Sequence, residues 1–211
     1  MLKTLFLAKF LLLFVLLFPM FASAQKFEGG MLAGLVGSQV AGDPSSGYNK
    51  LGFYAGVFAN RQFTLKSGAQ FEMYYIQKGA RENPTEKNGN FQYLLCINYI
   101  ELPILYQFTI NKRLTIESGI AYSYLIGEPY EEANYSTSVP DNEFHKSSAT
   151  FILGIDVVLT NHLSASFRTN NSITPIRDHA SGAKRFFNRG QYSDALTFGL
   201  VYNFYSSIPS K

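Results

Sequence analysis

The chain has 211 residues, which suits a single domain, and its 19 Phe and 14 Tyr, with no Trp and only 16% charged residues, favour strands and turns over helices. Once Lys3 and Lys9 of the first segment are set aside, 18 minus 2, or 16, basic residues face 15 acidic ones, so the net charge gives no indication of nucleic-acid binding. Cys96 is the only cysteine, which excludes an intramolecular disulfide framework.

Residues 1–24 have the three parts of a secretory signal. Lys3 precedes a long apolar stretch, and Ala22-Ser23-Ala24 supplies the small residues that a signal peptidase requires. A membrane anchor helix is the alternative, because about 17 apolar residues can just span a bilayer. Lys9 interrupts that stretch, however. We expect cleavage after Ala24, with Ala22 and Ala24 as the recognised residues, and a mature domain at residues 25–211.

From Phe27 onward, apolar residues recur at every second position, which is the period of a β-strand. In the last segment, Leu196 and Phe198 alternate with Thr197 and Gly199. Similar segments predict eight strands in all, and most are longer than the 9 to 11 residues or so that a tilted strand needs to cross a membrane. The predicted spans are 27–39, 50–60, 63–78, 97–110, 113–126, 147–160, 162–174 and 194–205.

The predicted connections alternate in length. Long polar segments at 40–49, 79–96, 127–146 and 175–193 alternate with tight turns near 60–62, 111–112 and 161, which is typical of outer-membrane barrels. An even number of strands predicts both termini on the periplasmic side and the long loops outside the cell. Pro103 lies inside the fourth strand, where we expect a bulge or local unpairing, because proline cannot donate to the ladder.

Alternation alone does not say which face meets lipid, because a soluble ligand-binding barrel has the same period with the faces reversed. The polar face carries only one or two charges per strand, whereas the outside of a soluble barrel would be rich in Lys and Glu. The sequence therefore predicts an all-β protein, an eight-stranded antiparallel up-and-down transmembrane β-barrel, whose apolar face meets lipid.

The charged residues of the polar face form the first candidate site. They are predicted to form a polar network in the lumen: Lys66, Glu72, Glu101, Glu117, Asp156 and Arg168. An ion path or a proton-sensitive gate is one interpretation of this network. We favour a salt-bridged filling, because an eight-stranded barrel is only just wide enough for its own side chains.

A second hypothesis is catalytic, since some eight-stranded barrels are lipid-modifying enzymes that use a histidine and a serine. Each of the three histidines is followed two positions later by serine: His145 by Ser147, His162 by Ser164 and His179 by Ser181. Residues two apart on a strand lie about 6.6 Å apart, whereas a catalytic hydrogen bond needs about 2.6 to 3.2 Å. We therefore expect no enzymatic activity. The mature chain has no metal-ligand spacing or nucleotide motif, so no cofactor is expected.

The third candidate site comprises two long loops of opposite charge. Residues 128–146 are acidic and residues 175–193 are basic. They could bind each other or an extracellular partner; the alternative is that they are solvated loops without a ligand.

Four segments carry a resemblance to a known family. They are GGMLAGLVGSQVAGD (29–43), KLGFYAGVF (50–58), QFEMYYIQKGA (70–80) and NYIELPILYQF (98–108). The chain resembles the porin-family outer-membrane β-barrel domain abundant in Bacteroidetes, which is similar in architecture to OmpA/OmpX-type barrels. Gly199, Tyr202 and Phe204 look like the C-terminal signal that the barrel-assembly machinery recognises.

Taken together, the sequence pattern and the resemblance predict a monomer in the bacterial outer membrane, with membrane lipid and the assembly machinery as partners and no nucleic acid. They imply a structural or surface-binding role, with an extracellular ligand at the loops. A narrow channel and a component of secretion or assembly are the alternatives, and a lipid-modifying enzyme is the least favoured of them.

Overall fold

The computed structural model describes residues 27–134, 136–137, 143–179, 182–185 and 187–205. The expected signal, with Ala22 and Ala24, lies outside the described residues, as does Ser181. The strands are β1 (Glu28–Ala41), β2 (Lys50–Gln62), β3 (Ser67–Glu82), β4 (Tyr93–Asn111), β5 (Leu114–Ala133), β6 (Ser136–Thr137), β7 (Ser147–Val158), β8 (Leu163–Ser172), β9 (Ala183–Arg185), β10 (Asn188–Gly190) and β11 (Tyr192–Asn203). A 3-10 turn at Glu86–Asn88 lies between β3 and β4.

The long strands form a closed antiparallel barrel in the order β4-β3-β2-β1-β11-β8-β7-β5, and pairing of β4 with β5 completes the ring. The predicted all-β barrel of eight strands is thus confirmed. One end of the barrel carries the tight turns 63–66, 112–113 and 159–162, the start of β1 and the end of β11. We call it the turn end. The opposite end, which carries the long connections, is the loop end.

An apolar belt surrounds the barrel. Its residues are cross-strand partners and so follow one another around the wall. In order they are Phe53, Leu35, Phe198, Phe167, Ile155, Ile116 and Phe108. All of them are exposed. A continuous exposed belt of this kind is unstable in water and stable against acyl chains, so the predicted lipid-facing side agrees with the structure.

The third strand starts later than predicted. Residues 63–66 form a turn in which Thr64 Oγ1 accepts hydrogen bonds from the backbone N–H of Lys66 at 3.2 Å and of Ser67 at 3.0 Å. Phe63 and Leu65 keep the alternating pattern through this turn, which explains the early predicted start at residue 63. Because the turn is exposed, Lys66 does not face the lumen, and its predicted place in the lumen network is wrong.

Pro103 is unpaired on one side only. It pairs with Ala121 of β5, but the ladder to β3 is interrupted between the pairs Phe71↔Ile104 and Tyr74↔Glu101 without a change of register. The expected effect of proline is therefore local unpairing and not a bulge at that residue. Register shifts between β4 and β5 lie elsewhere, at Cys96/Asn98 and Thr109/Asn111.

Three strands extend beyond the rest of the barrel at the loop end. Pairing of β5 with β7 ends at Tyr124↔Ser147, whereas pairing of β5 with β4 continues to Ala133↔Tyr93. We call the sheet made by residues 77–82, 93–98 and 125–133 the extension. Residues 127–133, which were predicted to lie in a loop, therefore belong to a strand.

The lumen holds both polar and apolar side chains. The expected polar residues lie near the turn end and the middle, together with apolar residues such as Phe58 and Val201. Towards the loop end, apolar side chains such as Val36, Leu95 and Ile97 predominate. An entirely polar lumen is therefore wrong. The inward face of the extension packs on the loops that cover the opening, and burial there favours apolar residues.

Candidate functional site: the lumen and the loop end

One arginine organises the lower lumen. Arg168 of β8 forms a bidentate ion pair with Glu72 of β3, at 2.7 and 2.8 Å, and its Nε faces Glu117 of β5. Gly154 makes room for it, because a Cβ there would lie 2.7 Å from Arg168 Cγ. Planar guanidinium geometry suits two carboxylates at once, so this residue holds three strands together across the barrel.

The lower cluster carries excess negative charge. Asp156 of β7 interacts electrostatically with both Glu117 and Arg168, so three carboxyl groups lie near the single guanidinium of Arg168. When all are ionised, three negative charges and one positive charge leave two negative charges. Gln70 relieves part of this by donating to Glu72 at 2.6 Å, and Gln107 donates to Glu117 at 3.4 Å.

A small vestibule lies below this cluster at the turn end. It measures about 130 Å³, and its lining includes Asn60, Gln70, Gln107 and Asp156. The three amides hydrogen bond with one another. Towards the loop end, the vestibule ends at the buried ion pairs.

A second buried carboxylate lies nearer the loop end. Glu101 of β4 accepts hydrogen bonds from Lys78 Nζ at 2.7 Å, Ser123 Oγ at 2.7 Å and Tyr74 OH at 3.0 Å. Both members of the Lys78–Glu101 pair are buried. Fully paired and hydrogen-bonded charges of this kind are the form in which ionised groups are tolerated away from water.

The structure thus divides the predicted lumen residues. Glu72, Glu117, Asp156 and Arg168 are brought together, and Glu101 belongs to the separate upper cluster. Lys78, and not Lys66, is the lysine that lies buried in the lumen. Lys78 is the last residue of the predicted third strand, 63–78, and has the correct alternation for the inward face, so the sequence carried the signal for it although the predicted network omitted it.

The loop end is closed by an ion pair that the sequence did not predict. Arg177, in the last long connection, forms a bidentate pair with Glu131 of the extension, at 2.7 and 2.9 Å. Tyr93 OH donates to Glu131 at 2.7 Å, and Arg177 Nε donates to Gln191 at 2.7 Å. The Arg177 guanidinium also lies over the Phe144 ring, 4.5 Å from its centroid. With Ile176 buried beside it, this group covers the opening of the lumen.

The contacts at the loop end shift the pKa values of two charged groups. Burial opposes the charge of Arg177, but its hydrogen bonds to Glu131 outweigh that effect and raise its pKa. Burial raises the pKa of Asp43, in the first long connection, to about 6, although hydrogen bonds from Ser45 oppose the shift. The acidic and basic loops therefore bind each other, which was one of the alternatives left open by their sequences.

The hairpin of β9 and β10 folds onto the outer wall. Along β11, odd residues such as Thr197 face the lumen and even residues face outward. Tyr192 and Asp194 are thus outward residues, yet they are only 0% and 3% exposed. Arg185 of β9 covers them, with hydrogen bonds of 2.7 and 2.6 Å to Asp194 and its guanidinium 5.0 Å from the Tyr192 ring centroid. The start of β11 is therefore covered on both faces.

The histidines hold loops and termini together. His145 has its Nδ1 3.1 Å from the carbonyl oxygen of Pro175 and its Nε2 3.6 Å from Asp178, so it joins the third and fourth long connections. His162 has its Nδ1 2.9 Å from the carbonyl oxygen of Asn203, near the end of the barrel. In both contacts a histidine ring lies against a backbone carbonyl group of another segment.

The residues of the predicted assembly signal lie on both faces of β11. Gly199 faces the lumen under Tyr54, while Tyr202 and Phe204 are exposed on the outside. Tyr202 packs on the rings of His162 and Phe204. Recognition of these residues by the assembly machinery stays a prediction.

A closed barrel with an apolar belt and a filled lumen defines the small outer-membrane β-barrel class. The profile of the "Outer membrane protein beta-barrel domain" family matches residues 22–178. The chain therefore belongs to this family and is a bacterial outer-membrane protein. No curated protein sequence is significantly similar to it.

Solved structures with the same fold include Neisserial surface protein A, with a TM-score of 0.51 and 13% identity over 84% of this chain and 97% of that one. Ail, the attachment invasion locus protein of Yersinia pestis, has a TM-score of 0.46 and 14% identity over 85% and 99% of the two chains. OprG from Pseudomonas aeruginosa has a TM-score of 0.39 and 13% identity over 85% and 95%. At these identities the similarity concerns the fold alone.

Two kinds of feature are absent from the described residues. None of the helices found there is long and apolar enough to span a membrane. The same part of the chain holds no group of three or more His, Cys, Asp or Glu side chains arranged to bind a metal ion.

Proposed function

We propose that this protein is a non-conducting outer-membrane barrel that presents a fixed binding surface outside the cell. The observation that carries the proposal is the Arg177–Glu131 pair, which fastens the last long connection across the opening of the lumen. Buried pairs at Glu101 and Arg168 fill the passage below. A lumen filled in this way does not conduct ions. Planar-bilayer recordings should therefore show no single-channel steps, and stable steps would contradict this part.

The proposed surface is the outward face of the extension. Arg81, Leu94, Tyr130 and Glu132 share this face, and Tyr130 is exposed. Its strands are hydrogen-bonded to one another, so the backbone positions of these residues are fixed before any partner arrives, which lowers the entropic cost of binding. Binding residues on loops and edges supported by a rigid barrel are common.

Our proposal places the loop end outside the cell and both termini in the periplasm. Single cysteines introduced in a Cys96→Ser background test this directly. Lys87→Cys at the loop end should react with a membrane-impermeant maleimide on intact cells, and Lys112→Cys at the turn end should react only after lysis. Both lysines are exposed, so the two positions form a matched pair. The reverse pattern would overturn the orientation.

Binding is tested separately. Folded protein in nanodiscs is applied to arrays of purified polysaccharides and proteins, and the double variant Arg81→Ala/Tyr130→Ala is compared with Lys112→Ala. We expect a captured array component whose signal falls about tenfold in the double variant, since an exposed aromatic and an arginine are frequent binding hot spots. Equal signals from the wild type, the double variant and Lys112→Ala would contradict the proposed binding surface.

A further inference from the structure

Four basic residues lie close together at the turn end. They are Arg61 near the end of β2, Lys66 in the turn 63–66, and Lys112 and Arg113 in the turn 112–113. Lys66, Lys112 and Arg113 are exposed, and Arg61 is half-buried. Within the described part of the chain, none of the four forms an ion pair with a carboxylate. We call these four residues the basic rim.

The two turns that carry the basic rim are neighbours with fixed backbones. β3 and β4 pair between them, and the backbone N–H of Thr109 in β4 donates to the carbonyl oxygen of Lys66 at 2.8 Å. Lys112 follows Thr109 by three residues, which is at most about 10 Å of extended chain. In the second turn, Asn111 Oδ1 accepts a hydrogen bond from the backbone N–H of Arg113 at 2.9 Å. The basic rim therefore forms one continuous patch.

Other charges at the turn end compensate the basic rim only in part. Glu28 and Asp156 are the carboxylates that line the vestibule, and Lys112 borders it as well. Even with both carboxylates ionised, four positive and two negative charges leave two positive charges. The third tight turn, 159–162, contains neither Lys nor Arg. The positive charge is therefore concentrated on one side of the barrel, where the β2–β3 and β4–β5 hairpins end.

Exposed apolar side chains lie in the same two hairpins. Phe63, Leu65 and Ile110 are 53%, 95% and 46% exposed. The Arg61 guanidinium lies over the Phe63 ring, 5.4 Å from its centroid, so a cation rests against apolar surface. This combination is typical of the boundary between acyl chains and headgroups, where long basic side chains extend from an apolar surface towards water. The patch therefore suits a lipid better than a soluble anion.

We propose that the basic rim binds the headgroup of an anionic phospholipid, whose acyl chains lie along the apolar wall beside Phe63 and Leu65. The phosphate accepts charge-assisted hydrogen bonds from Lys66 and from the turn 112–113. A zwitterionic phospholipid carries its own ammonium group, which competes with these cations, so the rim selects a net negative charge. Only the assignment of this lipid to the periplasmic leaflet rests on the orientation proposed above.

Native mass spectrometry of the mature protein in detergent tests this preference without depending on the orientation. Phosphatidylglycerol and phosphatidylethanolamine with the same acyl chains are titrated separately. We expect phosphatidylglycerol to bind at least about tenfold more tightly, because each Lys or Arg of the rim adds to the attraction of an anionic headgroup. Equal affinities would overturn the proposal. Binding of glycerol phosphate, which has no acyl chains, as tight as that of phosphatidylglycerol would overturn the assignment to a lipid.

Two matched charge variants locate the site. Lys66→Gln/Lys112→Gln should reduce the preference for phosphatidylglycerol about tenfold, because it removes two of the four cations of the rim. Lys87→Gln/Lys146→Gln removes the same charge from exposed positions at the loop end and should leave the preference unchanged. An unaltered preference in the first variant, or equal losses in both, would show that the basic rim is not the site.

The apolar contribution is measured with a second pair of variants. Leu65→Ser should weaken the binding of both phospholipids about fivefold, because it removes an apolar contact without changing the charge. Leu159→Ser, in the third tight turn, is the control, since Leu159 is also exposed but lies away from the basic rim. If Leu65→Ser leaves both affinities at their wild-type values, the acyl chains do not contact this turn.

The changed residues are exposed, and migration of unheated samples on SDS gels verifies that each variant is folded. The cysteine-labelling experiment reports the orientation alone. A reversed labelling pattern with an intact lipid preference would refute the periplasmic leaflet, whereas equal lipid affinities with the expected labelling would refute only the basic rim.

Discussion

Arg177 and Glu131 face each other in a bidentate ion pair, with N–O distances of 2.7 and 2.9 Å. The two residues are 46 positions apart in the sequence and belong to segments of opposite charge. Their contact joins the last long connection to the extension and covers the lumen. Removing it is the most direct way to release the loop end.

Arg177→Ala should unfasten the last connection without unfolding the barrel. Glu131 would remain buried without its cation, and breaking such a pair by removing one partner costs about 3 to 5 kcal/mol. Hydrogen exchange should therefore speed up in residues 173–179 and 187–191 while β1 to β5 stay protected. Arg81→Ala, an exposed arginine on the same part of the barrel, is the control. Exchange rates equal to wild type would show that the pair does not hold the loop.

Arg168→Met should destabilise the barrel far more than loss of a surface charge. Glu72, Glu117 and Asp156 would then lie together in the lumen without their guanidinium, at a cost of about 3 to 5 kcal/mol. Urea unfolding in lipid measures the difference. Lys66→Gln is the control, expected within about 0.5 kcal/mol of wild type because this lysine lies in an exposed turn. Adding Glu72→Gln and Glu117→Gln to Arg168→Met should recover part of the loss, and a further decrease would contradict the charge argument.

The faces of the strands could be predicted because the side-chain period is two and membrane burial makes one face uniformly apolar. Glu72, Glu117, Asp156 and Arg168 follow from that period. Which of these residues pair with one another does not follow from the period, because the strand tilt and register determine which side chains lie at the same height across the lumen. Lys66 shows the limit: Phe63 and Leu65 alternate through a turn, and hydrophobicity alone does not distinguish that turn from a strand.

Gly42→Ala should disturb the contact between the first connection and the hairpin. A Cβ at Gly42 would lie 2.6 Å from the backbone N of Ala183, and its φ is 91°. Gly47 is a matched control, since its φ is 83° but the nearest atom to a Cβ there is 3.5 Å away. We expect Gly47→Ala to cost about 1 kcal/mol from the backbone alone. Gly42→Ala should cost about 1 to 3 kcal/mol more from overpacking. Thermal unfolding compares them, and equal losses would refute the packing contribution.

The first connection should loosen as the pH rises through about 6, which is the pKa of Asp43 in the folded protein; burial raises this pKa from its ordinary value of 3.8. Folding favours the protonated carboxyl, so the stabilisation is fully present below about pH 3.8 and is lost as the pH passes 6. The neighbouring charges are Arg177 and Glu131, which act in opposite directions. Hydrogen exchange of residues 42–49 at pH 5 and 7.5, corrected for intrinsic rates, measures this. Asp43→Asn should remove the pH dependence, and its persistence would assign the effect to another group.

The covered start of β11 could not be predicted from the sequence. Residues 190–195 include Gln191, Ser193 and Asp194, a polar composition that resembles a loop. The structure buries them because Arg177 lies on their inner face and Arg185 on their outer face. Long-range contacts of this kind depend on where two loops fold back onto the strand. The local alternation of apolar and polar residues does not reveal those contacts.

The barrel closes where β11 meets β1, and this seam is held unequally along its length. At the loop end, Arg185 of the hairpin hydrogen bonds with Asp194 of β11 on the outside, and Arg177 hydrogen bonds with Gln191 on the inside. Gln191 also donates to the carbonyl oxygen of Gly42, just beyond β1. At the turn end the seam finishes with the backbone hydrogen bond from Phe204 to Gly29. A lateral opening of the wall would therefore begin at the turn end and stop before it reaches the loop end.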